Sequence, residues 1–588
     1  MPLILPNPQS LCDNLMLAAT APVLAIDTEG NSKDVRRGAD PEGKTMGISL
    51  AHRPSLFNGE VIVSDYYPFR HKWNNLEPGH LDLMRRVLES YDGQIVMHNA
   101  KHDIAALRNL GIEVPTKNLF CTMLGVTWVN EELPSKALDY ASKAYGGEPK
   151  NRSKEMQRII DVWGWEYVPP EMMTEYAAND AKITLELRDN IWGTFKAEGY
   201  AGPLWERELR WLDLVMRMEA RGIGVNNSLC EQQIEVGSKV QAEVLLTLKH
   251  NPLSNKDLNK LLIQEMKLPI LGYTDTGAPS FAKKYMEEYE QILEGRNDTT
   301  AQQILTYRGW NKAISSSYMA YLEKQSPDGF LRCNYKLHGT KQIRLSCEKP
   351  NLQQIPQESS KPWNGQMKKA FKARPGFTLW EFDYGQLEMR VAAIYSQDPT
   401  LIRAFKSGVS LFKDMHSRMP QWDYNHVKRN SYATLYGAGV DKVALILNIS
   451  YDNAASMRMD FYNTYPNLRM AASKASNIAK KRGYLNMWTG RRRHFDGVVS
   501  THKAFNSICQ GGGAEIVKSA ALDIDEQIDW EECSLLLQIH DAFVFEIANG
   551  TEDKWIPIIQ QTMETPGRYN GAFSQIPFPV DVHKFGEK

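Results

Sequence analysis

Several carboxylates in this sequence end short apolar runs, where a packed core gives no reason for them. The run PVLAI (22–26) ends on Asp27-Thr28-Glu29. MHNAKHDIAAL (97–107) places Asn99, Lys101 and Asp103 at alternate positions entering a helix. EYAANDAKITLEL (175–187) sets Tyr176 and Asp180 one helical turn apart, on one face. A lone DxE means little in a chain with 70 acidic residues, and a solvated strand end is its plain reading. If Asp27, Glu29, Asp103 and Asp180 converge, they repel one another unless cations neutralise them. Oxygen-only ligand sets select Mg2+ or Mn2+. Two such ions about 4 Å apart can activate a water and stabilise the leaving oxygen of a phosphodiester, and Tyr176 would orient that water. Farther on, LLLQIHDAFVFEI (535–547) interrupts two strand-like runs with His540 and Asp541. A buried charge is expensive unless it is paired or binds a metal, so Asp541 needs a partner. TLWEF (378–382) is a strand that delivers Asp383, with the main-chain carbonyl of Tyr384 beside it and a helix starting at about Gln386.

The chain that must position these groups has 588 residues, roughly two to four domains. It is 42% hydrophobic and 24% charged, the composition of an ordinary folded soluble protein. No apolar run of 18 residues predicts a membrane span, and MPLILPNPQS lacks the basic start of a secretory signal. Seven singly scattered cysteines argue for reduced thiols in an intracellular compartment and against a structural zinc site. A net charge of −1 gives no hint of nucleic acid. Local runs do: KPWNGQMKKAFKAR (361–374) and KASNIAKKRGYLNMWTGRRR (474–493) carry basic residues and no acid. Either could be a solvated face, yet together they favour a polyanion. A first unit is expected to close near residue 200, with Ala201-Gly202-Pro203 as linker. Helices are expected over 205–221, over 253–266 with Ser254 and Asp257 as cap, and again after Pro279-Ser280.

The ordered triple DxE, NxxxD and YxxxD resembles the DEDDy-type 3′–5′ proofreading exonucleases. That resemblance implies an RNase H-like α/β domain over about 1–200, with Asp27, Glu29, Asp103 and Asp180 as metal ligands and Tyr176 catalytic.

The rest of the chain resembles the family A DNA polymerases, of the DNA polymerase I kind and phage-type in layout. DYGQLEMR (383–390), HVKRNSYATLYGAG (426–439) and QIHDA (538–542) match polymerase motifs A, B and C. An α+β right hand is implied over 201–588, with a thumb at about 205–330, a palm at about 331–410 and 496–588, and fingers at about 411–495. Asp383, Tyr384 and Asp541 would hold two Mg2+ ions, as would the exonuclease site, with Mn2+ able to substitute. Lys428, His416, Tyr432, Gln386 and Glu388 would meet the dNTP, and Tyr432 implies tolerance of dideoxynucleotides. Arg344, Asn351, Gln354, Tyr436, Arg491, Asn506, Gln510 and His540 would lie along the primer–template DNA. The resemblance further implies a monomer in the cytoplasm (a bacterial host's, if phage-encoded) or an organelle, with no 5′-nuclease domain ahead of it.

Two departures matter. Motif C usually reads His-Asp-Glu and here has Ala542; Glu546 is no obvious substitute. Motif B usually carries an arginine where Tyr424 stands, and a tyrosine supplies no cationic phosphate contact; on a regular helix neither His426 nor Arg429 shares that face well, so weaker triphosphate binding or a locally irregular helix is expected. Cys121 stands where relatives often have Asp and receives no role. The expected activity is template-directed DNA synthesis with 3′–5′ proofreading. The alternatives are an exonuclease whose impaired polymerase half mainly binds DNA, and a single-subunit RNA polymerase, which Glu388 and the exonuclease motifs oppose.

Overall fold

Leu24, Ala25 and Ile26 are fully buried, and a strand covered on both faces belongs inside a sheet. In the computed structural model, which describes residues 8–31, 44–54, 61–148, 150, 154–356, 361–495 and 501–587, they lie in the strand Val23–Asn31. It is the middle strand of a five-stranded sheet ordered Val63–Pro68, Lys44–His52, Val23–Asn31, Gln94–Met97, Leu119–Cys121. The first three strands run antiparallel, and the last two join in parallel. This is the mixed sheet that the exonuclease resemblance implies. The register slips between Glu29 and Gly30. A Cβ on Gly30 would lie 2.3 Å from the Lys44 carbonyl oxygen, so only glycine fits that bulge. The helix Pro170–Ala197 packs across the central strands.

That helix stops at Ala197, and Pro203 opens the next one, Pro203–Arg221, at a position where its missing N–H costs nothing. This second helix joins the two parts of the molecule. On one side Trp205 inserts among Phe120, Trp128 and Phe195, with ring centroids 5.0–5.6 Å away. On the other it meets the long helix Ala504–Asp525 through Glu208–Lys518 at 2.6 Å and Arg217–Asp525 at 2.5 Å. One hydrophobic core therefore runs through both parts.

The second part centres on a four-stranded antiparallel sheet ordered Cys533–Ile539, Ala542–Ala548, Phe377–Tyr384, Val580–Lys584. The helices Leu387–Ser396 and Ala504–Asp525 pack together beside it. An arm of helices, Asn227–Leu248, Lys283–Glu294 and Thr300–Ala313, has its own core around Leu258, Met286, Tyr289 and Ile304. Five further helices run between Leu411 and Arg482.

One local expectation needs correction. Ser254 does cap a helix, its hydroxyl accepting from Asp257 N, but after Asn255–Leu258 the hydrogen bonding widens to a π-helix over Asn259–Glu265. The helix expected after Pro279-Ser280 begins at Lys283. Among the described residues no helix is long and apolar enough to cross a membrane.

Candidate active sites

Strand alternation puts Asp27 and Glu29 on the same face of the central strand. The helix Pro170–Ala197 brings Asp180 to that face, with Tyr176 one turn earlier and buried. Asp27, Glu29 and Asp180 offer oxygens that all lie within 4.8 Å of one another. Asp103 enters from the helix Ala100–Arg108, which Asn99 opens at φ 65. Its Oδ1 accepts from Thr28 N at 3.1 Å and Thr28 Oγ1 at 2.8 Å, while its Oδ2 is buried with no hydrogen-bond partner. Burial and then the charge of Asp180 raise Asp27 to about 7. Burial and the charge of Asp27 push Asp103 well above the usual carboxylate range. An all-oxygen donor set with an orphaned buried oxygen fits a hard divalent cation. Of the alternate trio, Lys101 turns away: its ammonium donates to Glu219 at 2.5 Å and to the Tyr335 carbonyl at 2.6 Å. In its place stands a residue that the motifs do not contain. Lys150 Nζ lies 2.5 Å from Asp180 Oδ2. Nothing in GGEPKNRSK (146–154) separates that lysine from its neighbours.

The second acidic site forms where two strands end. Asp383 stands opposite Ala542 in the sheet register. His540 and Asp541 are the two turn residues of the hairpin Cys533–Ile539/Ala542–Ala548, with His540 at φ 58. Asp541 therefore arrives beside Asp383 at the end of the sheet. Burial raises Asp541 above the usual carboxylate range, against the opposing charges of Arg344 and His540. The Tyr384 hydroxyl is spent on the Met563 carbonyl at 2.8 Å, so any metal ligand from Tyr384 is its main-chain carbonyl.

Around this pair, Arg344 makes an ion pair with Glu388. Gln386 opens the helix Leu387–Ser396 at φ 60, and its Oε1 is buried without a partner. The helix Tyr424–Leu435 presents Lys428, Tyr432 and, at its C-cap, Tyr436. The Lys428 ammonium stands 5.4 Å from the Phe412 ring centroid, and the Tyr432 ring lies 5.5 Å from Phe412 and 6.0 Å from Tyr436. His416, on the helix Leu411–Arg418, meets Tyr424 edge-on at 5.9 Å. Tyr436 shares a hydrogen bond with Gln510, and Asn506 Oδ1 is buried without a partner. Asn351 is exposed and caps a short turn, accepting from Gln353 N at 3.1 Å.

A family model described as DNA polymerase family A matches residues 226–587, more than half of the chain. The chain belongs to DNA polymerase family A. A second model, described as 3′-5′ exonuclease, matches residues 5–195. Relatives of this family A chain include DNA polymerase I of Rhizobium leguminosarum, 26% identical over 92% of this chain and 56% of that protein. The thermostable DNA polymerase I of Thermus aquaticus is 27% identical over 83% of this chain and 59% of its own length. The chain thus spans somewhat under two thirds of these curated relatives. The fold matches the POL domain of Pol1 from M. smegmatis, solved in complex with DNA primer-template and dNTP. The TM-score is 0.81, at 21% identity over 99% of each chain.

In this family A member several charged side chains of these segments are engaged within the protein. Arg491, expected on the DNA, is buried over the Trp128 ring at 4.3 Å, where Glu208 and Glu131 balance its charge. Its neighbours follow it: Arg493 binds Glu131 at 3.1 Å and Glu132 at 2.6 Å, and Arg492 binds Glu198 at 3.3 Å. The C-terminal end of the second basic run therefore faces an acidic protein surface. The first run is partly committed too, with Lys368 on Glu381 at 2.5 Å and Arg374 on Glu546 at 2.8 Å.

Glu546 is fully buried and also binds Arg221 at 3.2 Å. It pairs with Leu379, while Ala542 pairs with Asp383. It is thus a structural anchor at the far end of the strand. Finally, Arg429 donates to the Ile446 carbonyl, so it does not stand in for the arginine that Tyr424 replaces. Cys121 is buried at the end of its strand, and burial raises its thiol pKa.

Proposed function

We propose that this family A chain extends a DNA primer on a template from dNTPs at its second acidic site and edits the 3′ end at its first. The observation that carries the reading is the register Asp383–Ala542, which seats Asp541 beside Asp383. Asp383, Asp541 and the Tyr384 carbonyl would hold two Mg2+ or Mn2+ ions, which would supply Lewis acidity for a primer hydroxyl and a triphosphate. The primer 3′-hydroxyl attacks the α-phosphate in line and pyrophosphate leaves. Lys428 and His416 take the triphosphate, and Tyr432 and Tyr436 offer ring faces to the new base pair. Glu388, pinned by Arg344, closes the space of a ribose 2′-hydroxyl, and Gln386 offers its unpaired amide oxygen to the nucleotide. Arg344, Asn351, Asn506, Gln510 and His540 lie along the primer–template path. In this assignment the helical arm is the thumb, the four-stranded sheet the palm, and the helices from Leu411 to Arg482 the fingers. At the first site Asp27, Glu29, Asp103 and Asp180 hold the ions, and Tyr176 orients the attacking water.

A labelled primer on a template, with Mg2+ and with or without dNTPs, tests both activities. Lengthening with dNTPs and 3′ shortening without them is the expected pair. Shortening in both lanes, persisting as failure to extend once Asp27→Ala removes editing, would mean that Ala542 and Tyr424 have silenced synthesis. Extension with NTPs in place of dNTPs would instead indicate an RNA polymerase.

A further inference from the structure

Lys150 sits at the centre of the first acidic site. Its Nζ lies 2.5 Å from Asp180 Oδ2 and 5.8 Å from the centroid of the Tyr176 ring. It is the cationic side chain that opposes the shifts of both Asp27 and Asp103. The Asp180 side chain is fully buried, whereas that of Lys150 keeps 32% of its surface exposed. The ammonium thus stands between the buried carboxylates and solvent. It comes from the connection between the helices Leu138–Ala144 and Lys154–Trp163, outside every motif.

The carboxylates here cannot all ionise without a compensating cation. Lys150 supplies one charge, through a carboxylate that the divalent-ion site also needs. An ammonium and a divalent ion held against the same Asp180 carboxylate repel each other, so the two compete. When Asp180 turns to a divalent ion, the lysine loses its partner. A flexible four-carbon stem then leaves its charge at the mouth, above Tyr176, where a phosphodiester has to enter.

We propose that Lys150 is an exchangeable counter-cation of the editing site. It holds Asp180 in the metal-free protein, yields that carboxylate on metal binding, and then binds the non-bridging oxygens of the phosphodiester being cut. This rests on the exonuclease reading above.

The test uses the full chain carrying Asp383→Asn and Asp541→Asn, so that the palm carboxylates take up little metal. Mn2+ binding is followed by the electron paramagnetic resonance of the free ion, and 3′ shortening of a single-stranded oligonucleotide is followed at saturating Mn2+. Lys150→Met is expected to tighten the first Mn2+ on the order of tenfold and to slow shortening on the order of tenfold or more. Lys150→Arg should keep most of the shortening rate. Opposite movement of affinity and rate is something a merely structural lysine would not produce, and circular dichroism of each variant checks the fold. Unchanged Mn2+ affinity in Lys150→Met overturns the exchange, and unchanged or faster shortening overturns the phosphate contact. If the parent chain shortens no 3′ end at any Mn2+ concentration, the exonuclease reading itself fails and the proposal falls with it.

Discussion

The guanidinium of Arg493 meets the carboxylate of Glu131 at 3.1 Å, across 362 residues of chain. Next to it, His494 Nδ1 lies 2.8 Å from Glu131 Oε2, and its Nε2 lies 3.4 Å from Glu198 Oε2. This cluster ties the hairpin Tyr484–Asn486/Arg492–His494 to the unit that the exonuclease model matches, with a pH dependence that follows from its chemistry. Burial disfavours the charged imidazole, but hydrogen bonds to Glu131 and Glu198 outweigh it and raise His494 from its ordinary 6.5 to about 9. A raised folded pKa means that the stabilisation is complete below pH 6.5 and is lost as pH climbs through about 9. It amounts to on the order of 2–3 kcal/mol. Thermal midpoints of the parent and His494→Gln should therefore differ most in mild acid and converge in alkali. A gap that does not depend on pH would refute the assignment.

Asp27 has the same sign of pH dependence, but here the charged form is the disfavoured one. Burial, then Asp180, holds its folded pKa at about 7 against 3.8 in a model compound. Without a divalent ion, ionising this carboxyl costs stability as pH rises from 3.8 towards 7, and the protonated form competes with a metal. The Mg2+-induced rise in thermal midpoint, measured against EDTA, should be small below pH 7 and grow above it. Asp27→Asn should remove most of that growth.

The two acidic sites occupy separate sheets, so they should be separable by substitution. Asp383→Ala is expected to abolish primer extension and leave 3′ shortening intact, with Asp27→Ala doing the reverse. Steady-state extension and single-strand degradation, run on both variants, check this. Synthesis near the parent rate in Asp383→Ala would end the metal assignment at the sheet end.

Glu546 should matter for stability rather than for chemistry. Truncating it leaves Arg221 and Arg374 facing a buried cavity without their shared carboxylate. Breaking such a pair typically costs about 3–5 kcal/mol, and the lower end applies because both arginines keep some solvent contact. Urea unfolding of Glu546→Ala should show that loss, while the KM for dNTP should barely change in folded protein. A large KM effect would mean that Glu546 stands in for the carboxylate missing at Ala542.

The sequence alone determined the acidic residues and their order, because each motif is local. A strand's two-residue alternation sets Asp27 with Glu29, a helical turn sets Tyr176 with Asp180, and a two-residue turn isolates Asp541. The mixed first sheet followed from the same motifs through family resemblance. The tertiary structure alone decided which charges were spent. Arg491–Arg493 and Lys101 look like free cations in the chain, yet acidic partners far away in sequence have claimed or balanced them. Lys150 looks like any loop lysine, yet it reaches the acidic centre. A side chain's charge is written in its own residue type, but the partner that neutralises it is chosen by packing. Coulomb attraction acts through space and is indifferent to sequence separation.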